Sequence, residues 1–413
     1  MQDTMETQSE AGIEGAPLSR RLTLPLLILY GLGVTVGAGI YVLVGTTAAR
    51  AGIYAPAAFL AAAVVVAFTG FSYAEMSARF PVSAGEAAYV KAGLRSKRLA
   101  LIVGLLVASV GIISSSAIMV GASAYLRDLT QLDARLLTVL IAIGLGGIAI
   151  LGVLESVTMA AVFTIVEIVG LFLVIAFGLS GQPEILQELS RLVPPIDGEI
   201  WLGIGAASLL AFFAFVGFED LANIAEEAIN PDRNMPLAII WTLILATVLY
   251  LAVVSVVVLT VPIDALSQSA APLNLIFVDA SPALKGSFNL IASVATLNGV
   301  LIQMIMSSRV IYGLARQNQL PSGLGYVHPR TRTPLIATVL VTLFVLILSL
   351  CFPIERLAEL TSQIAMAIFA TVNVSLIFLK RREQIDEAGF RVSLFVPVAG
   401  FATCVALFMF GLL

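Results

Sequence analysis

Three places in this sequence set polar chemistry inside apolar runs. Glu167 stands in FTIVEIVGLFLV with no basic residue within one helical turn. Glu219 and Asp220 follow Gly217 in FFAFVGFEDLANIAEE. Gly31, Gly33, Gly37 and Gly39 crowd one short run, GLGVTVGAGIY. An acid at membrane depth costs several kcal/mol unless it faces protein or water, and such residues mark ion and substrate pathways. A single pair of glycines would read as a helix-packing seam. Four so close together point to local unwinding, which survives at that depth only where it lines a cavity. Catalytic patterns are missing: there is no H-E-x-x-H, no G-x-S-x-G and no Walker A run. The single histidine, His328, lies in a basic loop and excludes a multi-histidine metal site. The chemistry implied is binding and moving a small charged solute, with no cofactor, no metal and no enzyme activity.

The elements that must hold these residues are membrane helices. Of the 413 residues, 59% are hydrophobic and 12% charged, and the mean hydropathy is +1.03. Soluble domains are about a quarter charged. A spanning helix needs about 20 apolar residues. Eleven apolar segments lie near 23–47, 55–79, 98–125, 136–154, 157–180, 200–229, 235–261, 284–316, 334–352, 356–379 and 391–412. None alternates as a barrel strand would. The fourth and fifth are parted only by a turn at Glu155 and Ser156. The fold class is an all-α polytopic membrane protein. A net charge of −4 and basic residues scattered in short loops give no nucleic-acid signal. Cys351 and Cys404 lie in or beside apolar segments and imply no disulfide framework. Residues 1–22 are polar, carry no signal-peptide core and read as a cytosolic tail.

Orientation follows the Lys/Arg bias of the loops. With the N-terminus inside, Arg50, Arg127, Arg135, Arg191, Lys285 and Arg356 lie outside, and the other sixteen of the 22 basic residues lie inside. Two outer connections, 183–193 and 270–282, read as short amphipathic helices. The first sets Ile185, Leu186, Leu189 and Leu192 on one face. They either cap an outer vestibule or cover helix ends at the interface.

The glycine break falls in the first segment and the Gly217 break in the sixth, five helices on and of opposite direction. That spacing points to an inverted-repeat transporter with discontinuous helices 1 and 6. The division reads 1–22 tail, 23–180 first repeat, 181–199 outer linker, 200–379 second repeat, and 380–413 inner loop with helix 11. Half-helix N-termini attract an anion and unwound carbonyls a cation. A zwitterion satisfies both, so the substrate class is an amino acid.

These residues resemble the amino acid–polyamine–organocation superfamily of permeases. VTVGAGIY resembles its G-x-G-I signature. YAEMSARFPVSAGEAAYV resembles its Y-A-E-L…P-x-S-G-G-x-Y-x-Y pattern, with Ala84 and Ala87 departing from it. AEEAINPDRNMPLAI resembles E-E-x-x-N-P-x-R-x-x-P. SSRVIYGLARQNQLP resembles S-R-x-x-Y-x-M-A-R-D-G-x-L-P, with Gln317 and Asn318 for Asp-Gly. The sequence shows eleven segments where most of the family has twelve, and transport in that fold uses the first ten.

The resemblance implies a site. Backbone N–H groups of Ala38, Gly39 and Ile40, beside Gly37, would hold the substrate carboxylate. Carbonyls of Phe213, Ala214 and Val216 would hold its amine, with Phe213 or Phe215 as a lid. Glu167 matches the place where proton-coupled relatives carry a lysine, with Ser307 and Ser308 as candidate neighbours. Gln303 matches a position that reads the distal end of the substrate.

From the residues themselves, Ser109, Ser115, Ser116, Asn298 and Gln303 are the polar groups that could meet a side chain. Packing seams explain the serines equally well. Glu219 either ties down the break's free N–H groups or relays protons inward. Glu226 and Glu227 are expected to pair with Arg79, Arg309 or Arg316 at an inner gate. The function expected is proton-coupled uptake of neutral, then cationic, amino acids by alternating access. An exchanger, a sodium symporter and a non-transporting membrane sensor are the alternatives. The partners expected are the amino acid, a coupling proton or sodium, and lipid. The expected location is a prokaryotic cytoplasmic (inner) membrane. Oligomeric state is left open.

Overall fold

Prolines and short polar caps set where the helices start. Pro25, Pro56, Pro231 and Pro282 fill first turns, where a missing N–H leaves no bond unmade. Asp133 accepts from Arg135 N at 2.9 Å, and Asp197 from Glu199 N at 2.9 Å. A computed structural model describes residues 20–37, 39–82, 85–152, 157–181, 183–382 and 389–411. Ala38, Ala84, the Glu155–Ser156 turn, the tail up to residue 19 and Leu412 lie outside the described residues.

The eleven expected spans are present. Span 1 is two helices, Leu24–Val36 and Gly39–Ala51. Span 2 is Ala55–Arg79, span 3 Lys97–Thr130, span 4 Ala134–Leu151 and span 5 Val157–Gly181. Span 6 is again divided, into Gly198–Phe213 and a tighter helix, Phe218–Glu227. Span 7 is Pro231–Thr260, span 8 Pro282–Arg316, span 9 Leu335–Cys351, span 10 Ile354–Arg382 and span 11 Phe395–Phe410. A short helix, Gly85–Leu94, joins spans 2 and 3. The outer connections differ from two plain amphipathic helices. Pro183–Leu192 winds as a 3₁₀ helix, and the second connection is a helix Ile263–Gln268 followed by a short 3₁₀ helix Pro272–Phe277. Ile185 is buried but Leu189 is exposed, so only part of the expected apolar face is covered.

The packing repeats with a shift of five spans. Span 3 lies along span 8, span 2 along span 7 and span 4 along span 9. Span 1 meets spans 5 and 7, and span 6 meets spans 10 and 2. This exchange of partners is what an inverted pair of five-span units requires. Small residues set the close crossings, as expected where lipid is as apolar as leucine. A Cβ at Gly111 of span 3 would overlap the Ser307 hydroxyl of span 8. Leu140, Ile143, Phe172 and Val248 are exposed apolar side chains on the outside of the bundle, suited to lipid.

Candidate functional site

The two helix breaks press against each other. A Cβ on Gly39 would overlap the Cα of Ala214, so only glycine fits at the start of the second half of span 1. Gly217 has φ +122°, and a Cβ there would stand 2.7 Å from the carbonyl oxygen of Val34; that backbone suits glycine alone. Glu219 Oε2 accepts from Gly217 N at 2.8 Å. It thereby satisfies one of the donors that a helix start leaves open. Tyr250 of span 7 reaches both breaks: its hydroxyl lies 2.7 Å from the Thr35 and Ala214 carbonyl oxygens.

A central cavity opens between the breaks. Its walls are Val34, Thr35, Gly39, Ser114, Ile118, Phe213, Val216, Gly299, Ile302 and Gln303. Gly39, Phe213, Val216 and Gln303, singled out from the sequence, therefore meet here. Ile40 is buried in the turn behind Gly39, and Ala214 backs it. Of the two aromatic lid candidates, only Phe213 lines the cavity. Phe215 packs edge-on against Tyr250 with ring centroids 5.1 Å apart. Ser116 does not reach the cavity and donates to Ile112 O at 2.7 Å. Two residues make about 200° of helix rotation, so Ser114 takes that place.

Glu167 lies beside the first break. A Cβ on Gly37 would stand 3.3 and 3.4 Å from its carboxyl oxygens. Asn298 Nδ2 donates to Glu167 Oε1 at 3.0 Å. The Tyr41 hydroxyl donates to the Glu167 carbonyl at 2.7 Å, and Tyr125 to the Tyr41 carbonyl at 2.7 Å. Asn298 is thus Glu167's neighbour and not a cavity wall. Ser307 and Ser308 are not its neighbours. They donate to the Gln303 and Ile305 carbonyls, each at 2.8 Å. Ser307 sits nine residues along span 8 from Asn298, about 13 Å at 1.5 Å per residue.

A model of a family described as amino acid permease matches residues 22–413. The chain belongs to the amino acid permease family. It is 27% identical to a branched-chain amino acid permease of Bacillus subtilis, over 95% of this chain and 88% of the relative. It is 30% identical to the mitochondrial cationic amino acid transporter 3 of Arabidopsis thaliana, over 93% of this chain and 66% of that longer protein. It is 27% identical to a methylthioribose transporter of Bacillus subtilis, over 96% of this chain and 88% of the relative. The protein is an integral, multi-pass amino acid transporter and not an enzyme.

Towards the side of the Gly85–Leu94 helix, the permease holds a second cavity. Glu86, Glu219, Asp220, Gln303, Ser307 and Phe369 are among its walls. Gln303 therefore borders both cavities, and its Nε2 donates to Asp220 Oδ2 at 3.0 Å. Burial pushes the Glu86 carboxyl from 4.5 up to about 7. Nearby Asp220 adds to this, while backbone hydrogen bonding and a hydrogen bond from Tyr73, at 3.4 Å, work against it. Among the expected gate pairs, Arg79 is seen bonded to Glu75 of its own span. Glu75 is fully buried, and it also takes Lys380 Nζ at 2.7 Å and Val392 N at 2.8 Å.

Sequence reasoning missed Thr35, Ser114, Tyr250, Glu86 and Glu75. Glu75 and Glu86 stand inside the quoted YAEM and AGEAAY runs, so a signal existed. Tyr250 lies in an unbroken apolar run, LATVLYLAVV, that offers none.

Proposed function

We propose that this permease takes up neutral amino acids by alternating access between two five-span repeats, 23–180 and 200–379. Uptake is driven by a proton held and released at Glu167. The observation that carries the reading is the cavity enclosed by both helix breaks. The second half of span 1 starts at Gly39, the carbonyl end of Gly198–Phe213 packs against it, and Gly39 and Phe213 both line the cavity. A helix start favours a carboxylate and a helix end an ammonium. The cavity wall supports a neutral side chain: Val34, Ile118, Phe213, Val216 and Ile302 are apolar, and Thr35, Ser114 and Gln303 are uncharged. No basic residue lines it, so a second carboxylate on an acidic amino acid would have no partner. Glu219 and Asp220, one gate inward, make cationic amino acids the second class.

Names of relatives support both classes, one being branched-chain and another cationic. The position of Glu167 supports coupling: its carboxyl touches the break and meets an amide that can serve either protonation state. We place the permease in the cytoplasmic membrane of a prokaryote with the N-terminus in the cytosol, on the Lys/Arg bias of its loops.

The test is uptake of labelled L-leucine into proteoliposomes under a pH step, with and without sodium. The twenty amino acids and methylthioribose serve as competitors. Leucine and its neutral neighbours should compete and aspartate and glutamate should not. Uptake that needs sodium and ignores the pH step removes the proton. Competition by methylthioribose alone removes the substrate class.

A further inference from the structure

We infer that the start of span 3, beside the end of span 10, is a docking surface for an anionic phospholipid. None of its residues lines either cavity. The first observation is positive charge left without a counter-charge. At the other end of the bundle, Arg50, Arg191 and Arg356 are paired with glutamates. At this end, Arg79 and Lys380 share the buried Glu75. Arg95, Lys97, Arg98 and Arg381 are exposed, and among the described residues none of them takes part in an ion pair. Between Glu86 and Asp128, and between Glu359 and Glu383, the sequence holds no acid at all.

The fold brings these cations together from two parts of the chain. Span 10 packs along span 3 and along the Gly85–Leu94 helix. Arg382 Nη1 donates to Gly93 O at 2.8 Å. That bond sets the end of span 10 within a few residues of Arg95, Lys97 and Arg98. The Arg382 guanidinium also lies over the Phe378 ring, 5.6 Å from its centroid, so its position is held from two sides. Beneath the cations the surface is apolar. Ile102 and Leu105 stand four and seven residues on from Arg98, on the same face of span 3, and both are exposed. Phe378, one turn before Arg382, is exposed as well. Cations at the rim of an apolar helix face match a lipid whose phosphate sits at the rim and whose acyl chains run down that face. Like charges gathered this closely repel one another, and a shared anion relieves them. A zwitterionic headgroup brings its own ammonium to a surface with no acid to receive it, so a headgroup of net negative charge is the better fit.

The probes are phosphatidylglycerol, phosphatidylcholine with the same acyl chains, and free glycerol 1-phosphate. Each is added to the full chain in detergent; bound lipid is counted by native mass spectrometry and stabilisation is read as a Tm shift. Phosphatidylglycerol should bind wild type at least tenfold more tightly than phosphatidylcholine and should raise Tm. Glycerol 1-phosphate should do neither. Lys97→Gln, Arg98→Gln and Arg381→Gln combined alter only exposed side chains and should weaken phosphatidylglycerol at least tenfold. Arg330→Gln with Arg332→Gln, also exposed and at the same end of the bundle, should bind as wild type. Raising salt to about 0.5 M should weaken phosphatidylglycerol on the wild type itself, which needs no variant to fold. Undiminished binding by the triple variant overturns the inference. Equal loss in both variants also overturns it, since any basic loop would then serve. A Tm shift with glycerol 1-phosphate equal to that with the lipid removes the lipid as occupant.

Discussion

Asn298 of span 8 donates a hydrogen bond to Glu167 of span 5 at 3.0 Å, while the other carboxyl oxygen, Oε2, has no partner among the described residues. An amide suits a carboxyl that changes protonation: its NH₂ donates to the ionised form and its carbonyl accepts from the neutral one. Glu167→Gln should therefore keep leucine exchange and lose accumulation driven by a pH step. Asn298→Val removes both functions of the amide and should slow net uptake at least tenfold. Proteoliposome uptake with imposed pH gradients measures both. Unchanged accumulation by the Gln variant would make Glu167 a structural residue.

Gly39 has no room for any side chain, because a Cβ would overlap the Ala214 backbone. Gly39→Ala should reduce leucine uptake more than tenfold, and Gly39→Val should abolish it. Gly144, with nothing within 4 Å of its would-be Cβ, is the control, and Gly144→Ala should transport as wild type. Uptake normalised to folded protein decides between a blocked site and lost protein. Normal transport by Gly39→Val would remove the first break as the carboxylate site.

Much of this fold was readable because hydrocarbon leaves a chain few options. Eleven apolar runs, the glycines of GLGVTVGAGIY and the Gly217-Phe218-Glu219 break all stand out against a bundle that must be helical. The site was readable to the depth of the backbone. Which face a residue takes was not. Ser114 and Ser116 are indistinguishable in a run of three serines, and helix rotation alone gives Ser114 the cavity. Distance along a straight helix separates Ser307 from Glu167, and no motif records that. Tyr250 was invisible for a different reason: its partners are backbone carbonyls, which carry no residue identity. Glu75 lay in a quoted motif, yet its three partners come from spans 2 and 10 and the approach to span 11.

Glu86 makes stability depend on pH. Its carboxyl titrates in the folded protein at about 7, above an ordinary value of 4.5, because the site is buried. The fold therefore favours the protonated form. The stabilising contribution is complete below pH 4.5 and is lost as pH rises towards 7. Above that, burial of the charge costs up to about 3 kcal/mol, the interval from 4.5 to 7 at 1.36 kcal/mol per pH unit. Glu86→Gln does not titrate. The Tm of the wild type should fall relative to that variant from pH 5 to pH 8, with the variant the more stable at pH 8. Thermal melts in detergent across that range test the sign. A difference that does not move with pH would mean that Glu86 is not the titrating group.

Tyr250 holds the two breaks in register through one hydroxyl. It donates one hydrogen, so it serves the Thr35 carbonyl or the Ala214 carbonyl at a given moment, and both lie at 2.7 Å. Its ring is fixed by Phe59 and Phe215, with centroids at 5.9 and 5.1 Å, and the residue is fully buried. Tyr250→Phe keeps the ring and strands a buried carbonyl, at about 1–3 kcal/mol. If access alternates between the two repeats as proposed, the two carbonyls sit on units that move against each other, and the loss should appear in turnover. We expect kcat for leucine to fall about tenfold, with a Tm lower by a few degrees. Phe59→Leu loosens the same ring without touching the hydroxyl. It should lower Tm to a similar degree and leave kcat within about twofold of wild type. Uptake and melting measured on both variants separate the hydrogen bond from the packing. If the two lose turnover alike, the ring and not the hydroxyl is what the breaks depend on.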